Sequence, residues 1–347
     1  MAKSVSKKIW IGVIGIAAVV LAAVVLFDAF GRAKTAEKSG FAMGSVVTVK
    51  LYGTKDAAAA DDILAEIERE ENNSISRYKD GSEIHILNRN GMAELSEHTV
   101  DILRIALQLS ADSGGAFDVT VGRLTSLWDF DNGAMGVPFE NDIEAALSVC
   151  GSDKITVNGS RFTLGEGQIL DLGALGKGLA CDDAAAVLAK NGIDGAVVSV
   201  GGSVLTYGTN PKGEDWTVGI RTPEPEDNSL ALRLKISGMA FISTSGDYEK
   251  YFIQDGVTYH HILSPQTGYP AESGLKSVTV VSDSGLLSDA LSTACFVLGT
   301  EDSGALLEKY GAEAVFIDKQ NRVFVTDGLF DRCSAETDAY TLYPYGT

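Results

Sequence analysis

Positive charge is in short supply in this 347-residue chain: 28 Lys and Arg stand against 47 Asp and Glu, a formal net charge of -19. Nucleic-acid binding needs clustered cations, and a surface of this sign repels a polyanion. That class of function is excluded, and any phosphate handled here must be met by a metal ion or by backbone donors. Cysteine is scarce as well. Cys150, Cys181, Cys295 and Cys333 are widely separated and show none of the short paired spacings of a zinc site or redox motif. They read as buried thiols, with a disulfide as the alternative. After Phe41 no Pro/Ser-rich linker and no repeat interrupts the chain, which excludes a solenoid or a string of tethered modules.

What is present is enough hydrophobic sequence, 45%, for a substantial buried core. Short strand-like runs alternate with amphipathic helical segments, the pattern of an α+β fold: one large mixed α/β region spanning residues 41–347. Ahead of it, Lys3, Lys7 and Lys8 precede an uncharged apolar run from Ile9 to Phe27, about the length a helix needs to cross a bilayer. The expectation is a cytosolic stretch at 1–8, a transmembrane anchor at 9–27, a polar linker at 28–40 and everything beyond it outside the cytoplasmic membrane. A cleaved signal peptide is the rival, but Gly31-Arg32-Ala33 is a poor cleavage site and the apolar run is long for a signal core. The first cysteine is Cys150, so lipoprotein attachment is not the tether.

Within the main region, Met43 to Tyr52 alternates as a strand and Asp56 to Glu71 carries Ile63, Leu64 and Ile67 at helical spacing. Ser96 is the expected N-cap of a helix whose Val100, Leu103 and Leu107 form one apolar stripe ending at Gly114-Gly115. Asn158-Gly159 predicts a tight hairpin between Lys154–Val157 and Arg161–Leu164. Gln168 to Leu172 reads as a strand, Lys177 to Lys190 as a helix closed by Asn191-Gly192, and Ala196 to Val200 as a further strand.

Four segments are candidates for chemistry. In Asp171-Leu172-Gly173-Ala174-Leu175-Gly176-Lys177-Gly178, glycines at a strand-to-helix junction let backbone approach a ligand and expose amides to an anion. The loop is neither a Walker A loop nor a dinucleotide fingerprint, and a simple tight turn is the alternative. Asp289 and Thr293 stand one helical turn apart and offer two hard oxygen ligands of the kind magnesium takes; a capping Asp in a helix start is the plain alternative. His260-His261 leads into the Pro- and Gly-rich turn ending at Pro270, where an imidazole is placed to act as a base or merely to support the loop. Gly115-Ala116-Phe117-Asp118 follows a helix stop and offers a ring to stack and a carboxylate to accept hydrogen bonds, against core packing of Phe117. His85 and His98 sit in ordinary surroundings and are given no role.

Together, and in this order, these pieces resemble the ApbE family of FAD:protein FMN transferases. The matching stretches are Met43-Gly44-Ser45, Ser76-Arg77-Tyr78 with Ser82-Glu83, Gly115 to Asp118 with Thr120-Val121-Gly122, and Asp171 to Gly178. Val200-Gly201-Gly202, Ser245-Gly246-Asp247-Tyr248, His261 to Pro270 and Asp289 to Ala294 complete the set. The resemblance implies an ApbE or T-fold-like catalytic region. It implies that Met43, Tyr78, Ala116, Phe117, Asp118, Asp171 and Lys177 line an FAD pocket closed by Ile262, and that Mg2+ is held by Asp289, Thr293 and the carbonyl of Ala174. A threonine or serine hydroxyl of an acceptor protein, on this reading a membrane redox-complex subunit, would attack the FMN phosphorus and release AMP, with His261 or else Asp247 as general base. The rivals are a Mg2+-dependent FAD pyrophosphatase, in which water replaces the acceptor, and a non-catalytic flavin-binding protein at the membrane surface. Tyr78 favours transfer, because transferases of the family carry a tyrosine there. Departures are Ser45 where threonine is usual, Val119 and Arg123 where prolines are frequent, and the missing lipid-attachment cysteine.

Overall fold

The computed structural model describes residues 34–132, 136–224, 227 and 229–346. The expected anchor at 9–27 lies outside them; among the described residues no helix is long and apolar enough to cross a membrane. The strands are β1 (Thr35–Ala42), β2 (Ser45–Tyr52), β3 (Met92–Glu94), β4 (Thr156–Asn158), β5 (Arg161–Thr163), β6 (Gly195–Val200), β7 (Ser203–Gly208), β8 (Trp216–Arg221), β9 (Leu230–Ile236), β10 (Ala240–Gly246), β11 (Tyr251–Gln254), β12 (Val257–His260), β13 (Leu275–Ser282), β14 (Glu313–Asp318), β15 (Arg322–Val325), β16 (Cys333–Ala335) and β17 (Thr341–Pro344). The helices that matter here are α1 (Ala58–Glu70), α2 (Glu83–Asn90), α3 (Glu97–Asp112), α4 (Gly122–Trp128), α5 (Glu140–Val149), α6 (Gly176–Lys190) and α7 (Gly285–Asp302).

Nine strands form the central sheet in the order β1-β2-β6-β7-β10-β13-β14-β15-β17. Its neighbours are antiparallel except for the parallel β15–β17 pair at one edge. The run Gly195-Ala-Val-Val-Ser-Val200 is buried at every position because both faces of the sheet are covered. Ala196, Val198 and Val200 pack with α1 and α6 on one side. Val197 points the other way, toward Trp216, Val218, Leu232 and Leu234 of the small sheet β16-β9-β8. The result is three layers, helices on sheet on sheet, which accords with the expected mixed α/β class.

Three local expectations are corrected. The linker at 28–40 is too long: Thr35–Ala42 is an edge strand of the main sheet, paired along its length with β2 from Thr35↔Tyr52 to Ala42↔Ser45. Its polar residues face out, while Ala36 and Ala42 are buried, so ladder hydrogen bonds override a tether-like composition. The hairpin at 158–159 forms one residue later, with Asn158 paired to Arg161 and Gly159 at φ 64 as the first turn residue. Glycine in that first place suits a type II′ turn. Gln168–Leu172 is not a strand beyond a single bridge of Ile169 to Val121. Its backbone groups are taken elsewhere: the Asn88 side chain bonds both N–H and C=O of Leu170, and Asp171 N–H donates to the Val119 carbonyl.

Helix α1 runs directly into one wide π turn, Glu71–Ile75, in which Ser76 N–H reaches back five residues to the Glu71 carbonyl. The Met43-Gly44 turn joining β1 and β2 has both residues at positive φ, 53° and 65°. That twist suits a two-residue hairpin but is unusual for methionine. The four cysteines are free thiols; Cys150, Cys181 and Cys295 are buried and Cys333 half-buried.

Candidate functional site

The site begins where α6 and α7 start side by side. A Cβ on Gly178 would lie 1.9 Å from the Gly285 carbonyl oxygen, and one on Gly285 would lie 2.1 Å from that of Gly178. Only two bare backbones approach this closely, and the contact allows each helix start to be held by a carboxylate of the other. Asp289 of α7 accepts the N–H of Gly178 at 3.0 Å, and the Lys177 N–H and Ser203 hydroxyl also bond to it. Asp182 of α6 accepts the N–H groups of Gly285 and Leu286, both at 2.7 Å. Nothing local in the sequence announces Asp182 or Ser203.

Asp289 is only 3% exposed. Burial pushes its carboxyl above the usual range, opposed by the Lys177 ammonium, whose Nζ stands 3.8 Å from Oδ1, and by its hydrogen bonds. Gly201, at φ 56°, makes room for this lysine, since a Cβ there would meet Ser45 Oγ at 2.8 Å and Lys177 Cδ at 3.1 Å. The glycine loop and the Asp289 carboxylate thus meet. The expectation of free loop amides is not met: those of Lys177 and Gly178 are spent on Asp289, and that of Gly173 on Asp171 Oδ1 at 2.9 Å.

Thr293, one turn beyond Asp289, stands 3.3 Å from the Ser245 hydroxyl, which also contacts Ser292 at 2.7 Å. Upstream, Asp171 is knitted into the loop on both oxygens. Its Oδ2 accepts from Thr125 Oγ1 at 2.6 Å and pairs with Arg77 Nη1 at 3.2 Å. The Arg77 side chain, 7% exposed, also donates to the Gly122 carbonyl at 3.0 Å and lies 4.6 Å from the Tyr78 ring centroid, with a further bond to the Tyr78 hydroxyl. Tyr78 itself is 62% exposed and borders a cavity of about 310 Å3 with His85, Asn88 and Ser126. Met43 donates its N–H to Glu71 Oε2 at 3.0 Å, and its sulfur lies near Gly176.

Ala116 and Phe117 are buried, Phe117 in the main core at 2% exposure, the packing position that was the plain alternative. Asp118 is half-buried, accepts the Thr120 N–H at 2.8 Å, and has its carboxyl pushed up by burial. Gly115 and Gln266 bring this segment against the turn that follows the histidines. Of the two histidines, His260 is buried, bonds the Ala271 carbonyl at 3.1 Å and is pushed down to about 4 by burial, so it stays neutral and structural. His261 is half-buried at the exit of the β11–β12 hairpin, its N–H on the Lys250 carbonyl at 3.0 Å, and Ile262 behind it enters the core. Asp247 bonds the Lys276 carbonyl through its N–H at 3.0 Å, and its carboxyl is pushed up to about 6, chiefly by burial.

A lysine, a buried carboxylate and a glycine turn thus gather at two abutting helix starts, and comparison with known proteins places the chain among the transferases. Residues 43–316 match the ApbE family. Similar relatives include the FAD:protein FMN transferase of Treponema pallidum (strain Nichols), 32% identical over 329 residues that cover 87% of this chain and 90% of that protein. The FAD:protein FMN transferase of Vibrio cholerae serotype O1 is 33% identical over 290 residues, covering 80% and 86%. Similar solved structures include the ApbE protein of Thermotoga maritima MSB8, with TM-score 0.77, 31% identity and coverage of 85% of this chain and 97% of that one. The apo form of the Pseudomonas stutzeri flavinyl transferase ApbE has TM-score 0.73 and 30% identity, with coverage of 90% and 97%. This chain belongs to the ApbE family, and it is a transferase.

Proposed function

We propose that the enzyme moves the FMN half of FAD onto a threonine or serine hydroxyl of an acceptor protein, releasing AMP, with Mg2+ as cofactor. The observation that carries this reading is the reciprocal capping of α6 and α7. With the loop amides spent on Asp289 and Asp171, a diphosphate arriving in this acidic protein meets the Lys177 ammonium but needs further positive charge. The oxygens we assign as its ligands suit magnesium: the buried Asp289 carboxylate, the Thr293 hydroxyl and the Ala174 carbonyl. Among the described residues no three His, Cys, Asp or Glu side chains converge on one point. Magnesium is the cation that needs only one or two carboxylates and completes its shell with water and phosphate oxygens. When bound it supplies neutralisation of charge developing on the diphosphate.

The flavin nucleotide is taken to lie along Met43, Tyr78, Ala116, Phe117, Asp118, Asp171, Lys177 and Ile262. The acceptor oxygen bonds to the FMN phosphorus as the phosphoanhydride bond breaks, and AMP leaves with the bridging oxygen. His261 takes the hydroxyl proton, imidazole being a side chain suited to general-base work; Asp247 is the alternative base. The acceptor is taken to be a membrane redox-complex subunit, reached by an enzyme that the apolar run Ile9 to Phe27 holds at the outer face of the cytoplasmic membrane.

The test is incubation of the full chain with FAD, Mg2+ and a threonine-bearing acceptor, followed by intact-mass analysis. A gain of one FMN on the acceptor with one AMP released is expected, and His261→Ala should slow it by about 100-fold or more. Free FMN with an unmodified acceptor would make the enzyme a pyrophosphatase instead. An unchanged rate in His261→Ala would move the base to another residue.

A further inference from the structure

Strand β10 lays Ser243 and Ser245 on one face, two residues apart, against α7, where Ser288-Asp289 and Ser292-Thr293 recur at one helical turn. The side-chain hydrogen bonds that join strand and helix run between hydroxyls. Ser243 donates to Ser203 at 2.9 Å, and Ser203 donates to the Asp289 carboxylate. The Ser243 proton is thereby used; Ser288, 2.8 Å away, gives its own proton to the Gly285 carbonyl at 2.9 Å and packs beside this line. Ser203, Ser243 and Ser288 are each no more than 1% exposed. Two hydroxyls, Ser243 and then Ser203, therefore point their protons down one line that ends on the Asp289 carboxylate.

The second line is fixed by the same counting. Ser292 donates to the Asp289 backbone carbonyl at 2.8 Å, so its 2.7 Å contact with Ser245 uses the Ser245 proton. Ser245 then has only lone pairs left for Thr293 at 3.3 Å, a shorter contact than the 3.5 Å from Thr293 to the Asp289 carbonyl. Thr293 is then the donor, and that contact leaves its own lone pairs unengaged. A hydroxyl serves a cation through its lone pairs, so its proton must be placed elsewhere.

We propose that Ser243 and Ser245 are positioning residues: strand β10 aims the Asp289 carboxylate through Ser203 and receives the Thr293 proton, setting both oxygens for the cation before it arrives. This rests on the reading that Asp289 and Thr293 hold Mg2+. Partners of this kind, one step behind metal ligands, typically change affinity by about 10- to 100-fold when removed.

The experiment titrates Mg2+ calorimetrically into metal-stripped full-length protein at a fixed saturating FAD concentration without acceptor, and records the melting temperature of the metal-free protein alongside. Ser245→Ala and Ser243→Ala should each bind Mg2+ about tenfold or more weakly, and Ser245→Thr, which keeps the hydroxyl, should bind within about threefold of the parent. Thr244→Val is the control, since Thr244 faces the other way and bonds Thr279 at 2.9 Å. It should lower the melting temperature of the metal-free protein without weakening Mg2+ binding. Parent-like affinity in Ser245→Ala while Asp289→Asn loses binding overturns the positioning role alone. Equal weakening in Thr244→Val and the two serine variants also overturns it, because the effect would then track stability. Parent-like affinity in Asp289→Asn, or no binding by the parent, overturns the metal assignment itself.

Discussion

Replacing Gly178 by alanine separates two effects of opposite sign. On helix propensity alone the change is favourable, by about 1 kcal/mol, because Gly178 lies inside α6 with ordinary helical backbone. Packing runs the other way. The new methyl would sit 1.9 Å from the Gly285 carbonyl oxygen, 2.6 Å from its carbon and 2.7 Å from Asp289 Cβ. Two of these atoms are backbone, so relief requires the two helix starts to part by about an ångström, and overpacking of this kind costs about 1–3 kcal/mol. The same movement stretches the 3.0 Å bond from Gly178 N–H to Asp289. A buried bond to a charged group is worth about 1.5–3 kcal/mol. The expected net loss is about 2–4 kcal/mol in urea unfolding, together with weakened Mg2+ binding. Gly176→Ala is the internal comparison, because its methyl would meet only the mobile end of Ile75 at 3.1 Å and Met43 Sδ at 3.9 Å; it should stay within about 1 kcal/mol of the parent. A Gly178→Ala protein stabilised by about 1 kcal/mol would show that the helices do not touch there and would remove the foundation of the site.

Two further outcomes are expected. Asp183 has its carboxyl pushed up to about 7, first by burial and then by Glu70 and Glu66, with His98 opposing, and one of its oxygens is buried without a hydrogen-bond partner. Because the folded chain holds this proton more tightly than the unfolded one, its contribution is favourable below about pH 4 and is lost as pH rises toward 7. Asp183→Asn should therefore raise stability at pH 8 by about 1–3 kcal/mol and change it little at pH 4; equal urea midpoints at pH 8 would refute this. A thiol reagent without reductant should label Cys333 alone at an appreciable rate in the native protein and all four cysteines in denaturant, since Cys150, Cys181 and Cys295 are buried free thiols. A native protein that yields fewer than four thiols on unfolding would contradict the free state.

How far the fold can be read from the chain depends on the reach of each interaction. Helices α3 and α6 were legible because their signals are local: Ser96 does accept the Thr99 N–H, and Gly192 stands at φ 63 just past the end of α6. The Asp289–Thr293 pair was legible for the same reason, being a spacing along one helix. Strand β1 was not, because its polar residues pair with a neighbour without contributing to the core. The segment at 168–172 looked like a strand until Asn88, more than eighty positions away, claimed its backbone groups. Asp182, which caps a helix 103 residues further on, leaves no local trace at all. Arg77 was visible only as part of a motif; its bonds to Gly122, Thr125, Asp171 and Tyr78 emerge from the packing.

The wide turn after α1 has a geometric consequence. Each residue in an α-helix advances the chain by about 100° around the axis, so one residue more or fewer is a rotation imposed on all that follows. Closing Glu71–Ile75 to ordinary pitch by deleting a single residue would barely alter composition or buried area, yet it would swing Arg77 and Tyr78 about a quarter-turn or more round from the aspartate and the α4 start that they now address. The aim of that part of the pocket is thus held as phase, counted in whole residues, and side-chain substitutions that preserve the count cannot reset it.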